Sequence, residues 1–424
     1  MIKAVSEMTR SELAALKSDL EAEYAGFVSR NLALNMARGK PSGKLLDHNM
    51  PVLDKLDDPF AADGTDARNY GILEGLPEMR KFFGEVLGID PERIIVGGNS
   101  SLSLMYDAVA RLMMFGTSES PAWKDAPARK FLCPCPGYDR HFAITQEFGF
   151  EMIPVPMTAD GPDMDVVEKL AGSDAAVKGI WCVPLYSNPQ GVCYSDETVA
   201  RLGRMITAAP DFRIFWDNAY GVHHLYGEVK LADIFAACEK GGNPNRPYYF
   251  FSTSKITFPG AGVAMMAASP DERKYILKRM GIQTIGADKL NQLRTLRVLK
   301  DAPTLKKHMA ELAAVLRPKF DIVLRTLETE LKPGRFARWF APRGGYFVSL
   351  DTLDGCAKKT LELAKNAGVV MTGAGATFPY RNDPADSNIR IAPTYPENDE
   401  LQTAMALFCV CVKLAAVKHL LGEC

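Results

Sequence analysis

Between residues 93 and 268 short apolar runs recur at intervals, at 93–96, 130–133, 151–155, 175–184, 213–217, 248–252 and 262–268. Several are apolar at successive positions, as in Ile214-Phe215-Trp216 and Tyr248-Tyr249-Phe250-Phe251. A strand with one wet face alternates apolar and polar residues, so strands like these need cover on both faces. The stretches between them supply it: 101–115, 139–148 and 196–208, the last opened by Ser195, read as helices. Strand and helix in alternation restrict the chain to an α/β architecture, with a mostly parallel, seven-stranded sheet flanked by helices.

Beyond 268 the pattern changes. Two long helical patterns, 271–299 and 303–330, precede strand-like 338–340 and 346–350, a helix at 358–366, a strand at 389–392 and a long helix at 398–421. The N-terminus offers one amphipathic helix, 8–28, and then a polar stretch rich in Gly, Pro and Asp from 38 to 69. The expected organisation is a large α/β domain over 50–305 and a smaller α+β domain built from 1–49 and 306–424.

Charge and composition exclude several classes. Fifty Lys and Arg against 51 Asp and Glu leave a net charge of −1, which argues against nucleic acid or a membrane surface as partner. No apolar run is expected to reach the roughly 20 residues of a membrane span. The N-terminus lacks the apolar core of a signal peptide, so a cytoplasmic setting is expected. The chain has nine cysteines and six histidines. Cys133 and Cys135 are too close for a redox or zinc clip, adjacent His223 and His224 cannot share a helix face, and no group has zinc-ligand spacing. No metal is expected, and buried free thiols are the plain reading.

In open α/β sheets the ligand sits beyond the carboxyl ends of the strands. The residues at those ends are therefore informative. Gly97-Gly98-Asn99-Ser100-Ser101 leads into a helix and could hold a phosphate, or could simply be a capped glycine turn. Tyr138 follows the 130s strand, and the turn Tyr186-Ser187-Asn188-Pro189-Gln190-Gly191 follows the next. Asp217 ends an apolar run where a carboxylate is costly without a cationic partner, and Tyr220 stands three residues on. Lys255 ends Ser252-Thr253-Ser254-Lys255, where burial would lower its pKa as an imine-forming lysine requires. Each alone has an ordinary reading as core, turn or solvated charge. Together they match the needs of pyridoxal 5'-phosphate: a phosphate cup, a stacking ring, a donor to the phenolic oxygen, an acid for the pyridine nitrogen and a lysine.

Six segments carry a family resemblance over nearly the full length. They are Leu34-Asn35-Met36-Ala37-Arg38-Gly39-Lys40-Pro41, Asn69-Tyr70-Gly71-Ile72-Leu73-Glu74-Gly75, Ser187-Asn188-Pro189-Gln190-Gly191, Asp217-Asn218-Ala219-Tyr220, Ser252-Thr253-Ser254-Lys255 and Asn388-Ile389-Arg390-Ile391. The chain resembles the class I/II aminotransferases of the fold type I pyridoxal phosphate enzymes, and within them the aspartate aminotransferase subgroup Ic, also described as MocR-like. The resemblance implies that Lys255 holds the cofactor as an imine and shuttles the reaction proton. It implies that Asp217 pairs with the pyridine nitrogen and that Asn188 and Tyr220 bond the phenolic oxygen. Tyr138 would stack on the ring, and Asn99, Ser100, Ser101 and Ser252 would hold the phosphate. Tyr70 would reach the neighbouring subunit's phosphate, which makes the active unit a homodimer. Arg390, with the Gly39 N–H, would grip the substrate α-carboxylate.

One departure from the family is visible. Its usual phosphate-binding arginine has no counterpart in Pro259-Gly260-Ala261-Gly262-Val263-Ala264, where Gly262 stands near its place. The implied reaction is transamination between aspartate and 2-oxoglutarate through a pyridoxamine intermediate. Arg38 and Lys40 are candidates for the distal carboxylate, and Gln283 and Thr284 for lining the pocket across the dimer. The competing readings are an aromatic aminotransferase, a β-lyase, or a ligand-sensing regulator. For the last, the roughly 50 residues before the large domain are too few for a winged-helix domain.

Overall fold

The computed structural model describes residues 3–37, 39–54 and 56–423, with the side chain of residue 54 left out. In chain order the strands are β1 (Leu34–Asn35), β2 (Ile94–Val96), β3 (Lys130–Cys135), β4 (Glu151–Thr158), β5 (Gly161–Pro162), β6 (Val177–Cys182), β7 (Arg213–Asp217), β8 (Pro247–Ser252), β9 (Ala264–Ala267), β10 (Ala337–Trp339), β11 (Val348–Thr352), β12 (Val369–Val370) and β13 (Asn388–Ile391).

The large sheet has the order β2-β9-β8-β7-β6-β3-β4-β5. From β8 to β4 neighbouring strands are parallel, whereas β9 runs antiparallel to both β8 and β2. Every residue of β6, β7, β8 and β9 is buried, as expected of strands covered on both faces. The seven expected strands are all present. The eighth, β5, is two residues long and pairs antiparallel with the edge strand β4. Its Pro162 suits an edge, where a missing N–H costs no ladder bond.

The C-terminal part is built differently. It holds a three-stranded antiparallel sheet, β10-β11-β13, and the long helix Asn398–Leu421, and β1 pairs in parallel with β12. The N-terminal helix Arg10–Val28 lies on Asn398–Leu421 and starts with a reciprocal cap between Thr9 and Glu12. The helix Ala302–Glu330 spans both parts: it touches Lys289–Leu299 and Pro77–Leu87 on one side and Asn398–Leu421 on the other.

Two expectations need correction. The long helical stretch from 271 divides into Pro270–Gln283 and Lys289–Leu299, because Gly286 takes a φ of +156° and Asp288 caps the second helix. Asn398–Leu421 is long and apolar enough to cross a membrane, contrary to the expectation of no such run, but 67% of its apolar window is buried inside the fold. It is apolar on most sides because the helices Arg10–Val28, Ala302–Glu330 and Ala357–Asn366 pack on it.

Candidate functional site

The carboxyl ends of β3, β6, β7 and β8 converge on Lys255, and the chain that follows β2 joins them. Gly97 N–H donates to Ala264 O at 2.8 Å and Ala264 N–H to Gly98 O at 2.8 Å, so the glycine turn is sewn to the start of β9. Ser100 then caps the helix Ser101–Phe115, its Oγ accepting from Leu102 N–H. Ser252 Oγ donates to Ser254 Oγ at 3.1 Å, and Ser254 Oγ to Asn99 O at 2.9 Å. Asn99, Ser100, Ser101, Ser252 and Ser254 thus gather at one helix N-terminus, where free N–H groups and the helix dipole favour an anion.

Lys255 is half-buried as a residue, and desolvation of its amine lowers the ammonium pKa against the opposing pull of the Asp217 charge. Its Nζ lies 4.9 Å from the centre of the Tyr220 ring. Tyr220 is itself buried, and burial raises its phenol pKa well above the usual value. Asp217 is 3% exposed. Its Oδ2 accepts from His141 Nε2 at 3.0 Å, while Oδ1 is buried with no hydrogen-bond partner.

The backbone beyond the lysine is held carbonyl by carbonyl. Lys255 O lies 3.3 Å from both Tyr346 Oη and His223 Nε2. Ile256 O accepts from His308 Nε2 at 2.9 Å, and Thr257 O from Asn49 Nδ2 at 3.0 Å. Burial depresses the His223 pKa to about 3, so its imidazole is neutral.

Arg390, on β13, reaches this centre from the smaller sheet and is 7% exposed. Its Nη1 donates to Asn188 Oδ1 and Asp139 Oδ1, each at 3.2 Å, and Nη2 to Thr372 Oγ1 at 3.3 Å, while Nε is buried without a partner. The guanidinium sits 4.9 Å over the Phe347 ring. Gly39 packs against the same ring: a Cβ there would lie 2.5 Å from Phe347 Cζ. Only glycine therefore lets the backbone approach this closely.

The structure brings Asn99, Ser100, Ser101, Tyr138, Asn188, Asp217, Tyr220, Ser252, Lys255, Gly39 and Arg390 to one region. Tyr70 is different: it is 84% exposed. Lys40 is exposed, with its Nζ 5.9 Å from the Tyr395 ring centre. Gln283 Nε2 donates to Asp107 Oδ2, and Thr284 Oγ1 to Gly286 O, so neither is bonded to the lysine centre in this chain. Arg38 lies outside the described residues.

Sequence reasoning missed several members of the site. His141 stacks on Trp181 at 4.3 Å with an 8° interplanar angle, and it meets Tyr138 edge-on at 4.9 Å. It stands three positions after Tyr138, at the start of the helix Asp139–Glu147, so a one-turn step from that tyrosine would have found it. Tyr346, Phe347 and Thr372 come from distant segments, and no local pattern marks them. The place of the absent arginine is sterically filled. A Cβ on Gly262 would lie 2.8 Å from Ser254 Oγ and 2.9 Å from Asn99 O. Asn291 Nδ2 bonds the carbonyls of Ala261 and Gly262 from the other side.

Known proteins resemble this chain in sequence and fold. The family model of aspartate amino-transferase matches residues 8–424. An aspartate aminotransferase of Corynebacterium glutamicum is 44% identical over 420 residues, covering 98% of this chain and 97% of that protein. The crystal structure of an aspartate transaminase from Corynebacterium glutamicum superposes with a TM-score of 0.97 at 43% identity, covering 99% of this chain and all of the other. The α-aminoadipate aminotransferase LysN of Thermus thermophilus, solved with N-(5'-phosphopyridoxyl)-L-leucine, shares the fold with a TM-score of 0.73 at 21% identity, over 95% of this chain and 98% of that one.

Proposed function

The chain belongs to the aspartate aminotransferase family, and from that premise we propose that Lys255, Asp217 and Arg390 form the centre of a pyridoxal phosphate-dependent transaminase acting on L-aspartate and 2-oxoglutarate. The observation that carries the cofactor is the pairing of two desolvated groups at the carboxyl ends of β7 and β8. Lys255 is a desolvated amine, and Asp217 keeps one carboxylate oxygen buried without a partner. An orphaned buried oxygen is costly unless a donor completes it, and a protonated pyridine nitrogen is such a donor. The residues present therefore fit the cofactor. When bound, pyridoxal phosphate supplies the electron sink that makes the amino acid's α-proton removable.

The chain's own residues would do the rest. Lys255, whose ammonium form is disfavoured by desolvation, would be the base that takes and returns the proton at the substrate α-carbon. His141 donates to Asp217 Oδ2 and fixes the carboxylate, itself clamped by Trp181. Asn188 and Tyr220 would donate to the phenolic oxygen, and Tyr138 would cover the ring. Asn99, Ser100, Ser101 and Ser252 would hold the phosphate at the helix N-terminus. With Gly262 in the arginine's place, these neutral donors carry more of that task. Arg390, braced by Asn188, Asp139 and Thr372, presents a planar fork to the α-carboxylate beside the Gly39 backbone.

The active unit in this reading is a homodimer of subgroup Ic type, in which Tyr70 completes the neighbour's phosphate cup. Exposed apolar residues support it. Tyr70 and Ile282 are each 84% exposed and Ile285 60%. Gly286 brings that segment beside Tyr70, since a Cβ there would lie 2.7 Å from Gly71 O. Apolar exposure on this scale marks an interaction surface. Lys40 is the described candidate for the distal carboxylate.

The test is a visible absorption spectrum of the purified protein with L-aspartate, then with 2-oxoglutarate. A cofactor band that aspartate shifts and 2-oxoglutarate restores is the expected result. A band indifferent to aspartate would overturn the substrate pair, and release of pyruvate and ammonia would make the enzyme a lyase.

A further inference from the structure

Two histidines and a glutamate converge beside the backbone that follows Lys255. His48 ends the helix Gly43–His48, and His308 and Glu311 stand one turn apart on Ala302–Glu330. One ligating atom from each lies within 4.8 Å of the others. His48 Nε2 is 3.1 Å from Glu311 Oε2, and the two imidazoles are 5.1 Å apart at 32°. We propose that His48, His308 and Glu311 form a binding site for a zinc-like divalent ion.

The argument turns on His308. Its Nε2 faces Ile256 O at 2.9 Å, and a carbonyl only accepts, so Nε2 carries the hydrogen. The lone pair is then on Nδ1. A ring nitrogen tied to a backbone carbonyl while the other stays free is the arrangement that orients metal-binding imidazoles. Two imidazole nitrogens and a carboxylate oxygen suit zinc and its neighbours rather than calcium or magnesium. Ligands about 2.0 Å from a tetrahedral ion stand about 3.3 Å apart, so the cluster must tighten on binding. The His48 and Glu311 side chains, 36% and 47% exposed, are free to make that adjustment. Three protein ligands leave a fourth position for water.

The place gives the ion a consequence. His308 holds Ile256 O, and Asn49, the neighbour of His48, holds Thr257 O. An ion here would tie together the two side-chain supports of the backbone that follows Lys255. The ligands lie far apart in the sequence, which is why spacing alone argues against a metal.

The test is a zinc titration of the holoenzyme against a chromophoric chelator, on the wild type, on His48→Ala, on Glu311→Gln and on the variant carrying both. One zinc per chain is expected, with affinity reduced at least about tenfold by either substitution. Zinc should raise the melting temperature of the wild type and not of the double variant. Cobalt(II) should give the visible bands of a tetrahedral site in the wild type alone. Absence of zinc uptake, or uptake equal in wild type and double variant, would overturn the site. Neither outcome touches the transaminase reading, because none of the three side chains is assigned a contact with substrate or cofactor.

Discussion

The floor of the site and its mouth are built to different standards. On the floor, Asp217 and Tyr220 are buried, and three consecutive carbonyls from Lys255 each have a side-chain partner. At the mouth, Tyr70 and Lys40 are exposed, and Gln283 bonds an aspartate on another helix. One chain thus completes the groups proposed to perform chemistry and leaves open those proposed to select and enclose the substrate. The difference follows from where each set sits. Strand ends are positioned by the sheet, whereas loops at the rim take their final partners from substrate or from a second subunit.

Breaking the floor should cost most. Lys255→Ala should abolish turnover, a loss beyond about 10⁴-fold, because it removes both the amine and the proton carrier. Steady-state kinetics with aspartate and 2-oxoglutarate measure it, and near-normal rates would remove Lys255 from the reaction. Asp217→Ala should lower kcat by about 10²- to 10³-fold. It also strands His141, whose Nε2 loses its acceptor. Arg390 lies between floor and mouth, and Arg390→Ala should raise KM for amino acid and oxo acid alike. The loss in kcat/KM should be about 10- to 100-fold, the worth of charge-assisted bonds to one carboxylate. A change in kcat alone would assign Arg390 to holding Asn188 instead.

The floor was also the more legible part. That Asn99, Ser100, Asn188, Asp217, Ser252 and Lys255 gather in one region is legible because each ends or follows an apolar run, and an α/β sheet collects such ends on one side. The large sheet was readable for the same reason, except β5, whose two residues are too few to leave a pattern. What the sequence concealed comes from pairing at a distance. Phe347 beneath Arg390, Tyr346 on Lys255 O and Asn291 beside Gly262 sit in ordinary surroundings, and only the fold makes them neighbours. The helix Asn398–Leu421 misleads in the opposite direction: its composition fits a membrane span, yet its environment is a protein core.

The mouth can be tested through its proposed dependence on a second chain. Tyr70→Ala should lower activity about tenfold, less than any floor substitution, by weakening hold on the phosphate. Mixing it with Lys255→Ala chains sharpens the point. A hybrid dimer would contain one site with an intact lysine from one chain and an intact tyrosine from the other. Activity should therefore recover in the mixture, and failure to recover would confine Tyr70 to its own chain.

The smallest expected effect tests the floor's dryness through pH. The His223 pKa is depressed to about 3 in the folded protein by burial, against 6.5 for an ordinary histidine. Below about 6.5 the unfolded chain takes up a proton that the folded imidazole refuses, so unfolding becomes easier as pH falls towards 3. Above that range both states are neutral and the group's effect vanishes. The slope contributed by one such histidine is at most about 1.4 kcal/mol per pH unit. His223→Gln, which keeps a donor for Lys255 O, should flatten the fall in melting temperature between pH 6.5 and acid. An unchanged profile would mean that water reaches His223 and protonates it in the folded state, and the contrast between a dry floor and a wet mouth would then narrow.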